Sequence, residues 1–170
     1  MNAPSVKTLF ESNTLGNPRK HLLLPALIIL AVDQITKILV VAKLENREPI
    51  ELFWTLQLNV IRNKGASFSL GTTYTSLLAV VAILAAIAIF ALSKSAKTPV
   101  SSAFFGVVLG GVLGNVIDRI FRSRNGFLNG GVVDFIDFQW WPIFNVADMA
   151  LVVGLPILLF LRLREDQEDG

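Results

Sequence analysis

The sequence contains no cysteine and only one histidine, His21. The lack of cysteine excludes disulfide bonds, thiolate metal sites and cysteine nucleophiles. A single histidine gives little basis for a zinc site or a histidine-dependent catalytic triad. Because His21 directly follows Arg19 and Lys20 and precedes an apolar segment, we interpret it as a residue of a membrane interface.

Charged side chains are also scarce. Only 16% of the 170 residues are charged, whereas 53% are hydrophobic. This balance is typical of a membrane protein, and the length suits a single domain over residues 1–170. The formal net charge of +2 comes from scattered basic residues, so the sequence gives no indication that nucleic acid is a partner.

Four apolar segments are long enough to form membrane helices once their small polar neighbours are included. A spanning helix needs about 20 residues. The sequence therefore predicts an all-α membrane fold with spans at about 22–42, 74–93, 102–119 and 145–162. The first segment is too long for a cleavable signal peptide and lacks a small-residue cleavage site, so we expect it to be retained.

Two loops have strand-like patterns. Residues 56–61 largely alternate between apolar and polar side chains, and residues 53–55 and 130–138 are rich in strand-forming types. Both loops would lie on the same side of a four-span protein, where backbone polar groups must find partners. We therefore predict a small β-sheet lying on the membrane. An aromatic belt at the same interface would contain Trp54, Trp140 and Trp141.

Basic residues do not indicate the orientation. With both termini on one side, seven lysine and arginine residues flank the spans on each side, and Lys37 lies inside a span. The positive-inside rule thus leaves open which side holds the two tails, residues 1–20 and 163–170.

Asp134 and Asp148 stand in apolar sequence at the edge of the predicted spans. A carboxylate near hydrocarbon is costly and indicates a functional site. Two at one edge could share a proton and activate water, as in aspartic proteases. Asp137 competes with Asp134 for this role. Residues 134 and 137 of a strand point to opposite faces, so only one of them can join Asp148. The pattern alone does not choose between them.

The first span carries Asp33 and Lys37, four residues apart and therefore on one face. They form either a local ion pair or the border of a polar cavity shared with other spans. Asn145 and Asp148 at the start of the fourth span fit a capping box, and a helix N-terminus also favours an ionised carboxylate. Capping and a functional role are compatible there.

The third span contains Gly106, Gly110 and Gly114, a spacing that allows close helix approach. Its end places an amide, a carboxylate and a guanidinium on one face, at positions i, i+3 and i+4. Packing alone does not require this arrangement. We interpret it as a polar support that orients the acids or a peptide backbone, formed by Asn115, Asp118 and Arg119.

Taken together, these motifs resemble those of the lipoprotein signal peptidases, the bacterial signal peptidase II family. The resemblance covers the chain from Asp33 to Asp148. It rests on five blocks in the family's order: Asp33-Gln34-x-x-Lys37, Asn63-x-Gly65-Ala66-x-Phe68, Gly110-Gly111-x-x-Gly114-Asn115-x-x-Asp118-Arg119, Val133-Asp134-Phe135 and Phe144-Asn145-x-Ala147-Asp148.

The resemblance implies that Asp134 and Asp148 are the catalytic pair and that Asp137 lies outside it. It implies cytoplasmic termini, a sheet and active site at the outer face of the bacterial inner membrane, and membrane lipid as surroundings. The implied substrate is a diacylglyceryl-modified prolipoprotein, cleaved before its lipidated cysteine. Residues expected to bind substrate or support the pair are Asp33, Lys37, Asn63, Gly65, Asn115, Asp118, Arg119, Asn145 and Ala147.

Two carboxylates suffice for this chemistry without a metal or another cofactor. We expect an ionised Asp148 at a helix N-terminus and a protonated Asp134 among apolar neighbours. The main alternative is a proton-coupled carrier that uses Asp33, Asp134 and Asp148. Against it, carriers usually place acids near the midplane between repeated halves, and this sequence shows no repeat. A scaffold subunit is a third possibility, but it leaves the two edge acids unexplained.

Overall fold

The computed structural model describes residues 20–65, 75–123 and 126–167. The motif positions Ala66 and Phe68, most of the first tail and residues 168–170 lie outside this part of the chain. Within it, the helices are α1 (Lys20–Leu44), α2 (Thr75–Leu92), α3 (Pro99–Phe121) and α4 (Val146–Gln167), and the strands are β1 (Ile50–Phe53), β2 (Leu56–Asn63) and β3 (Val132–Asp137).

All four helices are long and apolar enough to cross a membrane, with mean hydropathies between 1.9 and 2.7. Large apolar side chains point away from the protein on every helix. Leu24 on α1 is 64% exposed and Val152 on α4 is 70% exposed. Such a surface is suited to lipid contact, and the predicted four-helix membrane fold is confirmed.

Helix α3 is the central helix and packs against the other three. Its glycines allow this, because a Cβ atom at Gly110 would lie 2.6 Å from the carbonyl oxygen of Ala26 on α1. A Cβ atom at Gly114 would lie 2.5 Å from Oδ2 of Asp33. The predicted packing role of the glycine spacing is therefore confirmed. The apolar core around α3 contains Leu22, Ala86, Phe105, Val108, Leu109, Val112, Val116 and Leu158.

The predicted pairing of the two loops is also confirmed. Strands β1, β2 and β3 form an antiparallel sheet in that order. Gln57 pairs with Asp137 and Ile61 with Asp134 across β2 and β3, with an irregularity between residues 58 and 61. The sheet thus connects the loop after α1 to the loop before α4.

The prediction of strand over residues 53–55 is wrong at its end. Strand β1 stops at Phe53, and Trp54 and Thr55 form the turn into β2. Trp54 has a φ of 50°, which suits the reversal of a two-residue hairpin. The exposed fractions of Trp54, Trp140 and Trp141 are 84%, 66% and 57%, and their membership of an aromatic belt stays a prediction.

Helix α4 continues to Gln167, so residues 163–167 of the predicted tail are helical, and their position outside the membrane stays a prediction. Tertiary bonds hold this last part. Thr98 Oγ1 donates to Oε1 of Glu165 at 2.7 Å, and Arg162 Nη1 donates to the Ser95 carbonyl at 2.6 Å. Thr98 and Ser95 belong to the turn between α2 and α3. No pattern in the α4 sequence indicates these contacts.

Candidate active site

Asp134 lies in the middle of β3, with only 2% of its surface exposed. Its Oδ2 accepts a hydrogen bond from Asn63 Nδ2 at 2.9 Å, and its Oδ1 accepts one from Asn145 Nδ2 at 2.6 Å. Burial raises the pKa of Asp134 to about 6; the negative charge of Asp148 acts in the same direction, while the two amide bonds oppose it. A carboxyl group with this pKa can hold a proton in mildly acidic solution.

Asp148 lies in the first turn of α4 and closes a capping box with Asn145. The backbone N–H of Asn145 donates to Asp148 Oδ2 at 3.2 Å, and the backbone N–H of Asp148 donates to Asn145 Oδ1 at 2.9 Å. Asp148 Oδ1 accepts a further bond from Asn115 Nδ2 at 2.8 Å. Asn145 therefore has two roles, because it caps α4 together with Asp148 and also donates a hydrogen bond to Asp134.

The two acids line the same open cleft of about 640 Å³. The polar residues that line it are Asn63, Asn115 and Arg119 in addition to the acids, and the apolar ones are Val132, Trp141, Pro142, Ile143, Phe144, Met149, Val152 and Val153. A second cleft of about 290 Å³ shares Asn63, Asn115 and Arg119, and continues along apolar residues of α2, namely Leu78, Val81, Ala82 and Ala85. Two apolar clefts thus meet at one polar centre.

Arg119 connects the two clefts. Within the part of the chain that the structure describes, its buried Nη1 atom has no hydrogen-bond partner. Most buried donors in proteins are paired, and a guanidinium carries five N–H donors. Arg119 therefore keeps an unused donor beside the point where the two clefts meet.

A fully buried charge cluster supports the site. Lys37 Nζ lies 2.8 Å from Asp33 Oδ2 and 3.0 Å from Asp118 Oδ2. The ion pair of Asp33 and Lys37 is therefore present and extends to a second helix, and neither residue lines either of the two clefts. A buried charge is tolerated only when it is paired and hydrogen-bonded, and this cluster meets both conditions.

The same two carboxylates hold the backbone beside each candidate catalytic acid. Asp33 Oδ1 accepts from the N–H of Ala147 at 2.9 Å, one residue before Asp148. Asp118 Oδ2 accepts from the N–H of Val133 at 3.0 Å, one residue before Asp134. The cluster thus fixes the start of α4 and the centre of β3 relative to α1 and α3.

Two participants were not among the predicted site residues. Arg122 Nε donates to Asp118 Oδ1 at 2.7 Å, and Gln34 Nε2 donates to the Gly114 carbonyl at 3.0 Å. The spacing of four residues between Asp118 and Arg122 is a helical ion-pair signal and could have indicated this contact. Asp118 and Arg119, interpreted as one support face, serve different places: Asp118 faces α1 and Arg119 lines the clefts.

Gly65 orients Asn63. Its N–H donates to Asn63 Oδ1 at 2.8 Å, and its φ of 103° lies in the left-handed region that favours glycine. With its oxygen held in this way, Asn63 turns its amide nitrogen toward Asp134.

Asp137 lies apart from this centre. It accepts bonds from Gln57 Nε2 at 2.6 Å, Asn59 Nδ2 at 3.1 Å and the Gln139 N–H at 2.7 Å. Burial acts to raise the pKa of Asp137, but these three bonds outweigh it and lower the pKa below its ordinary value. Its ionised form therefore stabilises the fold above the ordinary pKa, and this contribution is lost as the pH falls through the lowered value.

Metal binding has no evident site in the described ranges 20–65, 75–123 and 126–167. No group of three or more histidine, aspartate or glutamate residues there is arranged to hold a metal ion. The expectation that the site works without a metal or other cofactor stays a prediction.

Comparisons with known proteins agree with one another. The family model described as signal peptidase (SPase) II matches residues 25–164. A lipoprotein signal peptidase of Rhodococcus jostii strain RHA1 is 42% identical over 144 residues, covering 84% of this chain and 72% of that protein. The lipoprotein signal peptidase of Mycobacterium tuberculosis strain H37Rv is 38% identical over 158 residues, covering 89% and 76%.

The fold is also found among solved structures. A bacterial membrane enzyme determined by the in meso method at 1.9 Å resolution is similar with a TM-score of 0.68 and 27% identity, covering 82% of this chain and 90% of that one. A second bacterial membrane enzyme, at 2.3 Å resolution, gives a TM-score of 0.66 and 26% identity, covering 86% and 89%.

Proposed function

This chain belongs to the signal peptidase II family, and from this premise we propose that it is an aspartic endopeptidase with Asp134 and Asp148 as its catalytic pair. The observation that carries the proposal is the pair itself. Two acids from different elements line one cleft and both bond to Asn145. The chain is a multi-pass membrane protein, so this pair acts at the membrane edge.

The two acids divide the work of hydrolysis. Asp148, beside the helix N-terminus, is ionised and removes a proton from a water molecule as general base. Asp134 carries the proton that polarises the scissile carbonyl group, consistent with its raised pKa. The water oxygen bonds to the carbonyl carbon, and a proton passes to the leaving nitrogen as the peptide bond breaks. The products are a new carboxylate and a new amino terminus.

The substrate is a prolipoprotein whose cysteine carries a diacylglyceryl group, and cleavage occurs just before that cysteine. Such a molecule has two apolar parts, its lipid and its signal helix. The two apolar clefts that meet at Asn63, Asn115 and Arg119 are suited to a substrate of this shape. Burying apolar area of the substrate there contributes about 25 cal/mol per Å².

Arg119 is the proposed substrate-positioning residue. Arg119 lines both clefts, and its guanidinium donates to a backbone carbonyl of the substrate beside the scissile bond. The asparagines 63, 115 and 145 hold the acids and leave them facing the cleft. The enzyme lies in the bacterial inner membrane with the sheet and clefts on the outer side.

The experiment is a cleavage assay with the purified full chain in lipid nanodiscs. The substrate is a synthetic diacylglyceryl prolipoprotein, and mass spectrometry identifies the new amino terminus. We expect Asp134→Asn and Asp148→Asn each to lower the rate at least about 100-fold, the usual contribution of a positioned acid or base. Asp137→Asn is the matched control, since it removes a carboxylate from the same strand at a place outside the clefts.

Four outcomes would contradict the proposal. Near-normal turnover by Asp134→Asn or Asp148→Asn would contradict the assignment of that residue to catalysis. A loss of activity in Asp137→Asn as deep as in Asp134→Asn would mean that Asp134 is not distinguished from Asp137 as the catalytic acid. Cleavage abolished by a chelator and restored by a metal ion would contradict a metal-free mechanism. A well-folded wild-type protein without any cleavage would favour a carrier.

A further inference from the structure

Three asparagines surround the acids, and each has its carbonyl oxygen bound to a group that can only donate. Asn63 Oδ1 accepts from the N–H of Gly65 at 2.8 Å, and Asn145 Oδ1 from the N–H of Asp148 at 2.9 Å. Asn115 Oδ1 accepts from Lys37 Nζ at 3.0 Å. An asparagine whose oxygen is held in this way must present its N–H groups on the other side.

Every carboxylate oxygen of the pair therefore meets an N–H donor. The three amide nitrogens supply bonds to Asp134 Oδ1, Asp134 Oδ2 and Asp148 Oδ1, and the backbone of Asn145 supplies the bond to Asp148 Oδ2. With these lone pairs occupied, the proton of the pair has to bind on the side that faces the cleft. That is the side where water and substrate enter.

Among the three orienting donors, Lys37 alone is a side chain. Its ammonium is fully buried and can only donate hydrogen bonds. It therefore fixes the Asn115 amide in the orientation that turns the carbonyl oxygen toward Lys37. Asn115 Oδ1 also accepts from Asn145 Nδ2 at 3.1 Å, and that same nitrogen donates to Asp134. The influence of Lys37 thus reaches both acids through two amides.

We infer that Lys37 is a positioning residue for the catalytic pair, which acts by holding the Asn115 amide with its N–H groups toward Asp148. This inference rests on the proposed function and adds a role that an ion pair within the fold does not require. Without the ammonium, the Asn115 oxygen keeps only the bond from Asn145 Nδ2 at 3.1 Å, and the amide turns more readily to present its oxygen to Asp148. Two facing acceptors repel, and Asp148 then takes up a proton more readily.

The expected consequence concerns the acidic limb of the activity profile. Cleavage fails at low pH when both acids are protonated, and loss of a donor to Asp148 moves this limb upward by about one pH unit. The charged groups near Asp148 are Asp33 and Lys37 on α1, Asp118 and Arg119 on α3, and Asp134 on β3. A test must therefore change the donor without changing the balance of these charges.

Two double variants meet this condition. Asp33→Asn with Lys37→Met and Asp33→Asn with Lys37→Gln each remove one negative and one positive charge, while Asp118 keeps its ion pair with Arg122. Asparagine at 33 still offers an oxygen to Ala147. Methionine at 37 has no N–H group, whereas glutamine at 37 can donate to Asn115. The Asp118 carboxylate attracts the amide nitrogen of this glutamine, which directs its N–H groups toward the Asn115 oxygen. The variants therefore differ in the donor alone.

The readout is kcat/KM against pH for cleavage of the diacylglyceryl prolipoprotein, together with the melting temperature of each protein. We expect an acidic limb about one unit higher in the methionine variant and an unshifted limb in the glutamine variant, whatever their rates. Equal limbs in the two variants would overturn the inference. Wild-type protein that fails to cleave would instead contradict the proposed function, so the two failures are distinguishable.

Where a double variant does not fold, the wild-type chain carries the test. Infrared spectra of protein labelled with ¹³C at asparagine side-chain carbonyls, minus those of Asn115→Ala, isolate the Asn115 band. A carbonyl bonded to the Lys37 ammonium absorbs at lower frequency than a solvated asparagine, and this is the expected result. A band at the frequency of solvated asparagine would overturn the orientation of the amide.

Discussion

Asp134 and Asp148 are the same residue type in similar apolar sequence, yet different groups hold them. Asp134 is on a strand and, within the described residues, accepts from the side-chain amides of Asn63 and Asn145. Asp148 starts a helix and accepts from a backbone N–H as well as from Asn115. Environments that differ in this way separate two acids into a proton donor and a base.

At this scale we predict a bell-shaped dependence of kcat/KM on pH. Burial raises the pKa of Asp134 to about 6, so above that pH the free enzyme loses its proton donor and cleavage falls. At low pH both acids are protonated and no base remains. The two limbs belong to the pair as a unit, because the acids titrate together. Initial cleavage rates from about pH 4 to 9 provide the measurement.

The same shift has a defined sign for stability. The native state keeps a proton on Asp134 from its ordinary pKa of 3.8 up to about 6, where an unfolded chain would have lost it. The stabilising contribution of this proton is present at low pH and lost as the pH rises through about 6.

The control for the activity profile is Asp137→Asn, which should leave the alkaline limb of cleavage in place. A cleavage rate that stays level to about pH 9 in the wild-type protein would contradict the assignment of Asp134.

Single residues show how far the sequence predicts the site. The spacing of Asp33 and Lys37 indicates their ion pair, because it depends on one helix only. The contact of Lys37 with Asp118 depends on the depth and rotation of two helices, which no local spacing specifies. From the residues alone, Asp134 and Asp137 remained equal candidates; the structure brings Asp134 to Asn145 and leaves Asp137 with Gln57.

At the scale of elements, the contact between α1 and α3 depends on the absence of side chains. A Cβ atom at Gly110 would lie 2.6 Å from the Ala26 carbonyl oxygen and 3.1 Å from its Cα atom. Both atoms belong to the backbone of α1 and cannot rotate away. Helix separation here would also displace Asp33 and Lys37, which lie further along the same interface.

We therefore predict that Gly110→Ala destabilises the protein by about 1–3 kcal/mol, the usual cost of overpacking, and lowers cleavage as well. Thermal unfolding in detergent and the cleavage assay measure the two effects. Gly154→Ala is the matched control, since its Cβ atom would meet methyl groups of Val107 and Val108 at 3.1 and 3.2 Å, which can adjust. Equal melting temperatures for the two variants would contradict the packing argument.

The elements themselves were largely predictable. Apolar segments of membrane length correspond to α1, α2, α3 and α4, and alternation predicted β2. The turn at Trp54 and the extension of α4 to Gln167 were not predicted. Strand-forming residues occupy that turn, and the extension depends on bonds from Arg162 and Glu165 to another part of the chain.

At the scale of the whole molecule, charged side chains lie inside the bundle and apolar side chains cover its outer surface, the reverse of a water-soluble protein. Asp33, Lys37 and Asp118 are fully buried, while many leucine, isoleucine and valine side chains are exposed. In lipid this arrangement keeps charge away from hydrocarbon, and removing a single partner of the cluster would leave an uncompensated charge. The described bundle is therefore organised around its polar centre as well as its apolar core.

The final prediction concerns orientation, which the even distribution of basic residues leaves undecided. The chain has no cysteine, so single cysteines report their location without background. We expect a membrane-impermeant maleimide to label Glu51→Cys on the exposed β1 strand in intact cells, because the proposed cleavage takes place at the outer face. Lys94→Cys, exposed between α2 and α3, should react only after permeabilisation. The reverse pattern would contradict the proposed orientation.

Asn145 has a further consequence for the life of the protein in the bilayer. The residue begins α4 through its bonds with Asp148 and also donates to Asp134 on the sheet. The capping bonds lie within one segment, so a chain whose last helix has not docked can close this helix start but lacks the bond to Asp134 and has no assembled pair of acids. With Asp134 and Asp148 as the proposed catalytic pair, we expect hydrolysis to begin only when α4 docks on the sheet, so that a half-assembled copy leaves the proteins around it uncut.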